Sequence, residues 1–183
     1  LVGSGGVLSH APRREQAARL LIDAFLPEGI TRLAVDSIFM MPQLGVLSTI
    51  HEQAAIEVFE KDCLVNLGTC VAPVGKQKEG QVALKYKIYC KDEVLEGQVL
   101  GGEIKLIKLP YESFTTELFP GKGLDLGQGK DIMIRELISG GEVGILLDCR
   151  GRKPFHIPND MAERVRTLLK WSSATNEYIE DLI

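Results

Sequence analysis

A short glycine-rich stretch near the start of the chain has residue types that suit close contact with a ligand. Gly3-Ser4-Gly5-Gly6 follows the apolar pair Leu1-Val2 and precedes a run with helical spacing. Glycine lets a backbone approach a ligand closely, and the first turn of a helix offers N–H groups that have no partner within the helix. The order of strand, glycine turn and helix therefore predicts a ligand loop.

Three interpretations of this loop remain open from the residues alone. Gly3 and Gly5 fit the dinucleotide fingerprint G-x-G-x-x-G, although the third position is Leu8 and the acidic residue Asp36 lies further along than the usual ~20 residues. A tight turn without a ligand is the second interpretation. The third is the adenosine loop of an actin-like ATPase, where glycine backbone packs against the adenosine of ATP. A Walker A loop is excluded, because the sequence contains no G-x-x-x-x-G-K-[ST].

Other polar residues near this loop are weaker candidates. Asp36 ends a strand-like run and could face a ligand or cap the next segment. His10 could touch a phosphate or a base, or lie on the surface at the start of a helix. Ser9 lacks a nucleophile motif and is interpreted as a helix N-cap. His51 and His156 have no partner at ligand spacing, so no metal site is predicted.

The most distinctive motif of the second half is Asp148-Cys149-Arg150-Gly151-Arg152. Two arginines that flank a glycine could clamp a carboxylate or a phosphate. They could equally form a charged hairpin tip that pairs with Asp148 or Glu142. The sequence leaves both interpretations open.

Composition limits the classes of function. The 183 residues are 45% hydrophobic and 25% charged, and the net charge of −4 argues against nucleic-acid binding. The four cysteines have no zinc spacing, so we expect free, mostly buried thiols in a reducing compartment. No apolar run approaches the ~20 residues of a membrane span, and we expect no signal peptide. We expect a cytoplasmic protein without a membrane partner.

The elements that must position these residues fall into three segments. Residues 1–62 have an α/β pattern: a strand stub at Leu1-Val2, a helix through Ala17–Phe25, a buried strand at Leu33–Val35 and a helical pattern over 42–61. Residues 63–158 are β-rich and are predicted to form a small barrel or curled sheet. Residues 159–183 are predicted as a C-terminal helix with an apolar face.

Within the β-rich segment, several strands are predicted from alternation and from flanking glycines. Residues 81–90 alternate between an apolar and a polar face, as a half-buried antiparallel strand does. Gly101-Gly102 and Gly140-Gly141 lie between strand-like runs and predict tight turns. The further predicted strands are 94–100, 103–109, 131–138 and 142–147.

Three long segments closely resemble the glutamate mutase accessory family called MutL or GlmL, which is unrelated to the mismatch-repair protein of the same name. They are LVGSGGVLSHAPRREQAARLLIDAFLPEGITRLAVDSIFMMPQLGVLS, EVFEKDCLVNLGTCVAPVG and GGEVGILLDCRGRKP. The resemblance extends from residue 1 to about residue 160.

This resemblance implies a fold, a ligand and a partner. The fold class would be α/β: the C-terminal part of an actin-like, ribonuclease-H-like ATPase lobe, followed by a β-rich barrel-like domain and a C-terminal helix. The family is thought to use ATP to reactivate adenosylcobalamin-dependent mutases of the glutamate mutase or aminomutase type. Gly3, Ser4, Gly5, Gly6 and Val7 would form the adenosine loop. Gly45, in the helix that follows, would permit close packing.

The family's phosphate loops, Mg²⁺ carboxylates and water-positioning residue precede the adenosine loop. The resemblance therefore implies that this sequence starts within a longer polypeptide, binds ATP or ADP with Mg only as part of it, and contains no catalytic residue or metal ligand. The expected partner is a mutase subunit, and a homo-oligomer stays open. The alternatives are a mutase-binding module without nucleotide and a dinucleotide-binding enzyme domain.

Overall fold

The computed structural model describes residues 1–152 and 157–178, which form a mixed α/β fold with two open sheets. The helices are α1 (Gly6–Ser9), α2 (Arg14–Phe25), α3 (Met41–Ser48), α4 (Glu52–Val58) and α5 (Met161–Ala174). A π-helical turn, Phe59–Cys63, follows α4. None of the described helices is long and apolar enough to cross a membrane.

The first sheet has five strands in the order β1-β2-β3-β9-β6. Its strands are β1 (Val2–Gly3), β2 (Gly29–Asp36), β3 (Leu64–Ala72), β6 (Glu103–Ile107) and β9 (Gly144–Cys149). β1 is parallel to β2 and β3 is parallel to β9, whereas β2 is antiparallel to β3 and β9 is antiparallel to β6. Strands from both sides of the predicted boundary near residue 62 therefore share one sheet.

The second sheet has four antiparallel strands in the order β5-β4-β7-β8. Its strands are β4 (Val82–Tyr89), β5 (Val94–Leu100), β7 (Ser113–Pro120) and β8 (Ile134–Ser139). The alternation predicted for 81–90 is confirmed, because Leu84, Tyr86 and Ile88 are buried while Lys85 and Lys87 are exposed. The strand β7 was not among the predicted strands.

The predicted barrel is wrong. The two sheets stay open and pack face to face, and one apolar core fills the space between them. Val71, Ile145 and Leu147 of the first sheet meet Leu84, Ile88 and Leu118 of the second in this core. Alternation shows that one face of a strand is buried, but it does not show whether the partner is the same sheet, closed on itself, or a second sheet.

The two double glycines mark the corners where the chain passes from the second sheet to the first. Gly101-Gly102 connects β5 with β6, and Gly140-Gly141 connects β8 with β9, so neither pair joins neighbouring strands of one sheet. A Cβ at Gly101 would collide with the Lys78 carbonyl oxygen, and one at Gly140 would collide with that of Pro110. The corners need glycine because other backbone lies against them.

A second core covers the opposite face of the first sheet. Ala17, Ala18, Leu21 and Ile22 of α2 pack there together with Trp171 of α5. The central strands β3 and β9 are thus covered on both faces, which explains their continuous apolar runs.

Two helical predictions need correction. Ser9 is not the N-cap of α2: it lies at the end of α1, and Arg13 occupies the cap position. The apolar face predicted for the C-terminal helix is largely in solvent, since Trp171 is buried but Met161, Val165, Leu168 and Leu169 are exposed. The helix itself is confirmed within 157–178, and Asp160 caps its N-terminus.

Candidate functional site

The glycine loop and Asp36 lie at the same edge of the first sheet. β1 and β2 are parallel and end at Gly3 and Asp36. The segments that follow these two strands therefore leave the sheet side by side. The Ser4 hydroxyl donates a hydrogen bond to Asp36 Oδ2 at 3.0 Å. The carboxyl ends of parallel strands are where α/β folds place ligand loops.

The loop itself is open to solvent. Gly3 is buried, whereas Ser4 and Gly6 are exposed and Val7 is 76% exposed. Gly5 has φ +117°, a conformation that side chains other than glycine rarely adopt, and no described atom lies within 4 Å of where its Cβ would be. A ligand could therefore approach the backbone at Gly5 without displacing any described side chain, and at Gly6 the nearest one is His10, with Nδ1 3.9 Å from the Cβ position.

Asp36 has a structural role, because both oxygens of its carboxylate accept hydrogen bonds from within the protein. Its side chain is fully buried, and it accepts hydrogen bonds from the backbone N–H groups of Met40 (3.1 Å) and Met41 (2.9 Å) as well as from Ser4. Burial alone would raise the pKa of Asp36, but the bonds from Met41, Met40 and Ser4 outweigh it and lower the pKa. Asp36 thus caps the start of α3 and fixes the loop to it, which is the capping interpretation.

The two neighbouring candidates, Ser9 and His10, lie within hydrogen-bond distance of the backbone of the loop. Ser9 Oγ lies 3.1 Å from the Gly5 carbonyl oxygen and 3.1 Å from His10 Nδ1. His10 is exposed, and its Nδ1 also lies 3.1 Å from the Gly6 carbonyl oxygen. His51 caps α4 by accepting a hydrogen bond from the Ala54 N–H, and His156 lies outside the described residues.

The Asp148–Arg152 motif forms a buried ionic cluster rather than an open clamp. Arg150 Nε and Nη2 donate to the two oxygens of Asp148 at 2.8 and 2.7 Å, and Arg152 Nη2 donates to Asp148 Oδ2 at 3.0 Å. All three side chains are at most 1% exposed. Burial would raise the pKa of Asp148, but the two guanidinium groups reverse this and hold it below its usual range. The predicted alternative partner, Glu142, pairs with Arg14 instead.

The ionic cluster extends to the helices on the first sheet. Arg150 Nη2 also contacts Asp23 Oδ1 of α2 at 2.7 Å, and Arg19 of the same helix bonds Glu177 at 2.8 Å. The ring of Trp171 lies 5.7 Å from the Arg19 guanidinium and 5.1 Å from that of Arg150. This connection between α2, β9 and α5 joins residues far apart in the chain, and no local sequence signal identifies it.

The two candidate sites, the glycine loop and the Asp148–Arg152 motif, lie at opposite ends of the strands of the first sheet. β1 and β2 point toward the glycine loop, whereas β3 and β9 run the other way and end near Arg150. A cavity of about 950 Å³ adjoins the Arg150 edge, with Gln77, Gly151, Asp160 and Trp171 in its wall. Because Asp148 and Asp23 already neutralise Arg150, this edge lacks the open pair of arginines that the clamp interpretation requires.

Among the described residues, the structure provides a glycine loop that could contact a nucleotide but no cluster of side chains that could hold its metal ion. The five predicted loop residues are adjacent and form a glycine-lined surface at Gly5 and Gly6. In the part of the chain described here, no group of three or more His, Cys, Asp or Glu side chains could hold a metal ion. Cys63, Cys70 and Cys149 are buried free thiols, and Cys90 is partly buried and free. Burial raises the pKa of all four thiols.

Comparison with known proteins identifies one family. The model of the family described as MutL protein matches residues 1–63. The comparison with curated proteins gave no match, and neither did the comparison with solved structures. The expected resemblance is thus confirmed over α1 to α4 and the first two strands, which include the whole glycine loop.

Proposed function

From the MutL family match at residues 1–63, we propose that this chain supplies the adenosine-binding loop of an ATP-dependent reactivating factor for an adenosylcobalamin-dependent mutase. The observation that carries the proposal is the open glycine backbone at Gly5 and Gly6, at the carboxyl edge of a parallel strand pair inside the matched region. A glycine turn in that place can lie flat against an adenosine.

In this proposal four of the five loop residues have an assigned role. Gly5 and Gly6 provide the surface on which the adenosine rests, and Val7 offers an exposed apolar side chain beside it. Ser4 and Asp36 hold the loop against the start of α3. The phosphate and Mg²⁺ ligands come from elsewhere in the natural polypeptide. Those ligands carry the hydrolysis, and this chain positions the nucleotide.

The structure offers a route by which nucleotide binding could reach the mutase. The loop leads through α1 into α2, and Arg19 and Asp23 of α2 form ion pairs with Glu177 and Arg150. A nucleotide that binds one position of the loop better than another would shift α2, and with it α5 and β9 of the first sheet. The β-rich part would then contact the mutase.

The test is a calorimetric titration of Mg-ADP and, separately, NAD into the natural polypeptide that contains this sequence. Gly5→Val should weaken ADP binding at least about 10-fold, because its side chain would occupy the ligand surface. Gly127→Val is the matched control: Gly127 has φ +112°, also has no described atom within 4 Å of its Cβ position, and lies far along the chain. Both variants carry the same kind of backbone strain. If ligand contact matters, only Gly5→Val should therefore lose affinity for ADP.

A second variant separates ligand contact from strain. Gly6→Ala adds one methyl group at a position without a left-handed backbone, where the only described atom within 4 Å is His10 Nδ1, at the ordinary contact distance of 3.9 Å. Weaker ADP binding in a normally stable Gly6→Ala protein supports the adenosine loop and leads to a reactivation assay on the mutase. NAD binding in preference to ADP would favour the dinucleotide enzyme. Mutase binding without either nucleotide would favour the interaction module.

A further inference from the structure

Phe39 has a left-handed backbone conformation that is rare for a bulky residue, with φ +56°. The described residues other than glycine that have a positive φ are Leu26, Phe39, Asp131 and Asn176. Leu26 and Asn176 follow α2 and α5, where a left-handed residue commonly ends a helix, and aspartate adopts this conformation more readily than most residues. Phe39 lies between β2 and α3, so neither explanation applies to it.

Hydrogen bonds on both sides of Phe39 hold this conformation in place. After it, the Met40 N–H donates to Asp36 Oδ1 at 3.1 Å. Before it, both the N–H and the hydroxyl of Ser37 donate to the Cys63 carbonyl oxygen, at 2.8 and 2.9 Å. The turn from Asp36 to Met40 is therefore fixed by its neighbours, and a strained residue persists only where the surroundings fix it in this way.

The ring of Phe39 does not repay this strain by packing in a core. It is 43% exposed and belongs to none of the three apolar cores formed by the described residues. The turn is nevertheless tied to the glycine loop, because the Asp36 carboxylate that binds Met40 also accepts a hydrogen bond from Ser4. Strained residues that the surrounding structure holds in place cluster at ligand sites.

We propose that the ring of Phe39 contacts the base of the nucleotide that rests on the glycine loop. The inference rests on the proposed function and adds the residue that recognises the base. An aromatic ring suits this role because every base presents a flat π face on which a ring can stack. Asp36 fixes the position of the ring relative to the loop, since its carboxylate binds the backbone next to Phe39 and the hydroxyl of Ser4.

An apolar surface against the rest of the polypeptide is the alternative role for Phe39. Such a surface needs apolar side chains but no particular ring, and the adjacent Ile38, which is 57% exposed, would contribute to it in the same way. It also gives no reason to hold a bulky residue in a strained conformation. The two roles therefore predict different effects of truncating Phe39 and Ile38.

A calorimetric titration of Mg-ADP into the natural polypeptide that contains this sequence tests the contact. Phe39→Ala should raise the Kd for Mg-ADP at least about 5-fold, the low end of the loss expected when one stacked ring is removed from a base. Phe39→Tyr keeps the ring and should bind as the wild type does. Ile38→Ala is the matched control, because it truncates the neighbouring exposed apolar side chain, and it should leave the Kd unchanged.

Phe39→Gly separates loss of the ring from damage to the turn. Glycine adopts φ +56° without strain and alanine does not, so Phe39→Gly should have a higher urea midpoint than Phe39→Ala. Both variants lack the ring and should bind Mg-ADP equally weakly. A Phe39→Gly protein that binds Mg-ADP as the wild type does, or one that is less stable than Phe39→Ala, contradicts the inference.

The titration also separates this inference from the proposed function. A wild type that does not bind Mg-ADP refutes both. Binding that Gly5→Val abolishes and Phe39→Ala leaves intact overturns the contact with Phe39 and keeps the adenosine loop. Equal losses in Phe39→Ala and Ile38→Ala overturn it as well, because they would show that the turn is an apolar surface without a specific ring contact.

Discussion

Asp36 lies where the glycine loop meets α3, and the buried carboxylate holds both in place. We predict that Asp36→Ala lowers the free energy of unfolding by about 1–2 kcal/mol, the usual cost of losing a helix cap. Asp92→Ala, at an exposed position, should change it little. Urea denaturation at neutral pH measures both. A loss no larger than in the control would mean that Asp36 does not fix the loop.

The same residue predicts a dependence on pH. The folded protein lowers the pKa of Asp36, so its carboxylate stabilises the fold at pH values above the ordinary range near 4. That stabilisation is lost as the pH falls through the depressed folded pKa. The wild type should therefore lose more stability than Asp36→Ala between pH 6 and pH 2, measured by urea midpoints. Parallel losses would contradict the prediction.

Asp148 differs from Asp36 because its partners are charged and fully buried. We expect Asp148→Ala to cost about 3–5 kcal/mol, since Arg150 and Arg152 would lose the carboxylate between them. Glu142→Ala removes a half-exposed partner of Arg14 and should cost less than about 1 kcal/mol. Thermal unfolding of the two variants compares a buried with an exposed ion pair. Similar losses would show that the cluster is not needed for stability.

At the scale of elements, α5 is held by one buried residue and its polar neighbours rather than by an apolar stripe. Trp171 packs in the core against α2, and its Nε1 donates to the Gly102 carbonyl oxygen at 2.9 Å. Trp171→Ala should cost about 3–5 kcal/mol and speed amide exchange throughout α5. Leu169→Ala, 46% exposed on the same helix, should do neither. Unchanged exchange in the Trp171 variant would mean that other contacts hold the helix.

At the scale of the whole molecule, the first sheet joins segments that composition separates. β2 and β3 pair over their full lengths across the predicted boundary near residue 62, and one core links both sheets. We predict a single cooperative unfolding transition, with equal calorimetric and van't Hoff enthalpies. A calorimetric scan with two separate transitions would show that the segments fold independently.

Local patterns predicted the elements better than their arrangement. Helical spacing placed α2 and α5, and alternation placed β4 within a residue at each end. The strand β7 was missed because its threonines, glutamate and proline weaken the apolar alternation. The five loop residues were predicted to form an adenosine loop from the family resemblance, and the match at residues 1–63 supports that resemblance but not the role of the loop. The polar partners of Asp36 could not be named, because Ser4 is 32 residues away in the chain.

The sequence by itself determined the properties that depend on neighbouring residues: the glycine turn before a helix, the alternation of β4, and the helical spacing of α2 and α5. Only the tertiary structure decided that two sheets pack against each other instead of closing, and that Asp148 is buried between two arginines. It also decided that the apolar stripe of α5 faces solvent. The physical reason is that period and capping act within one or two turns of chain. Burial depends on which surfaces meet, and those surfaces come from residues far apart in the sequence.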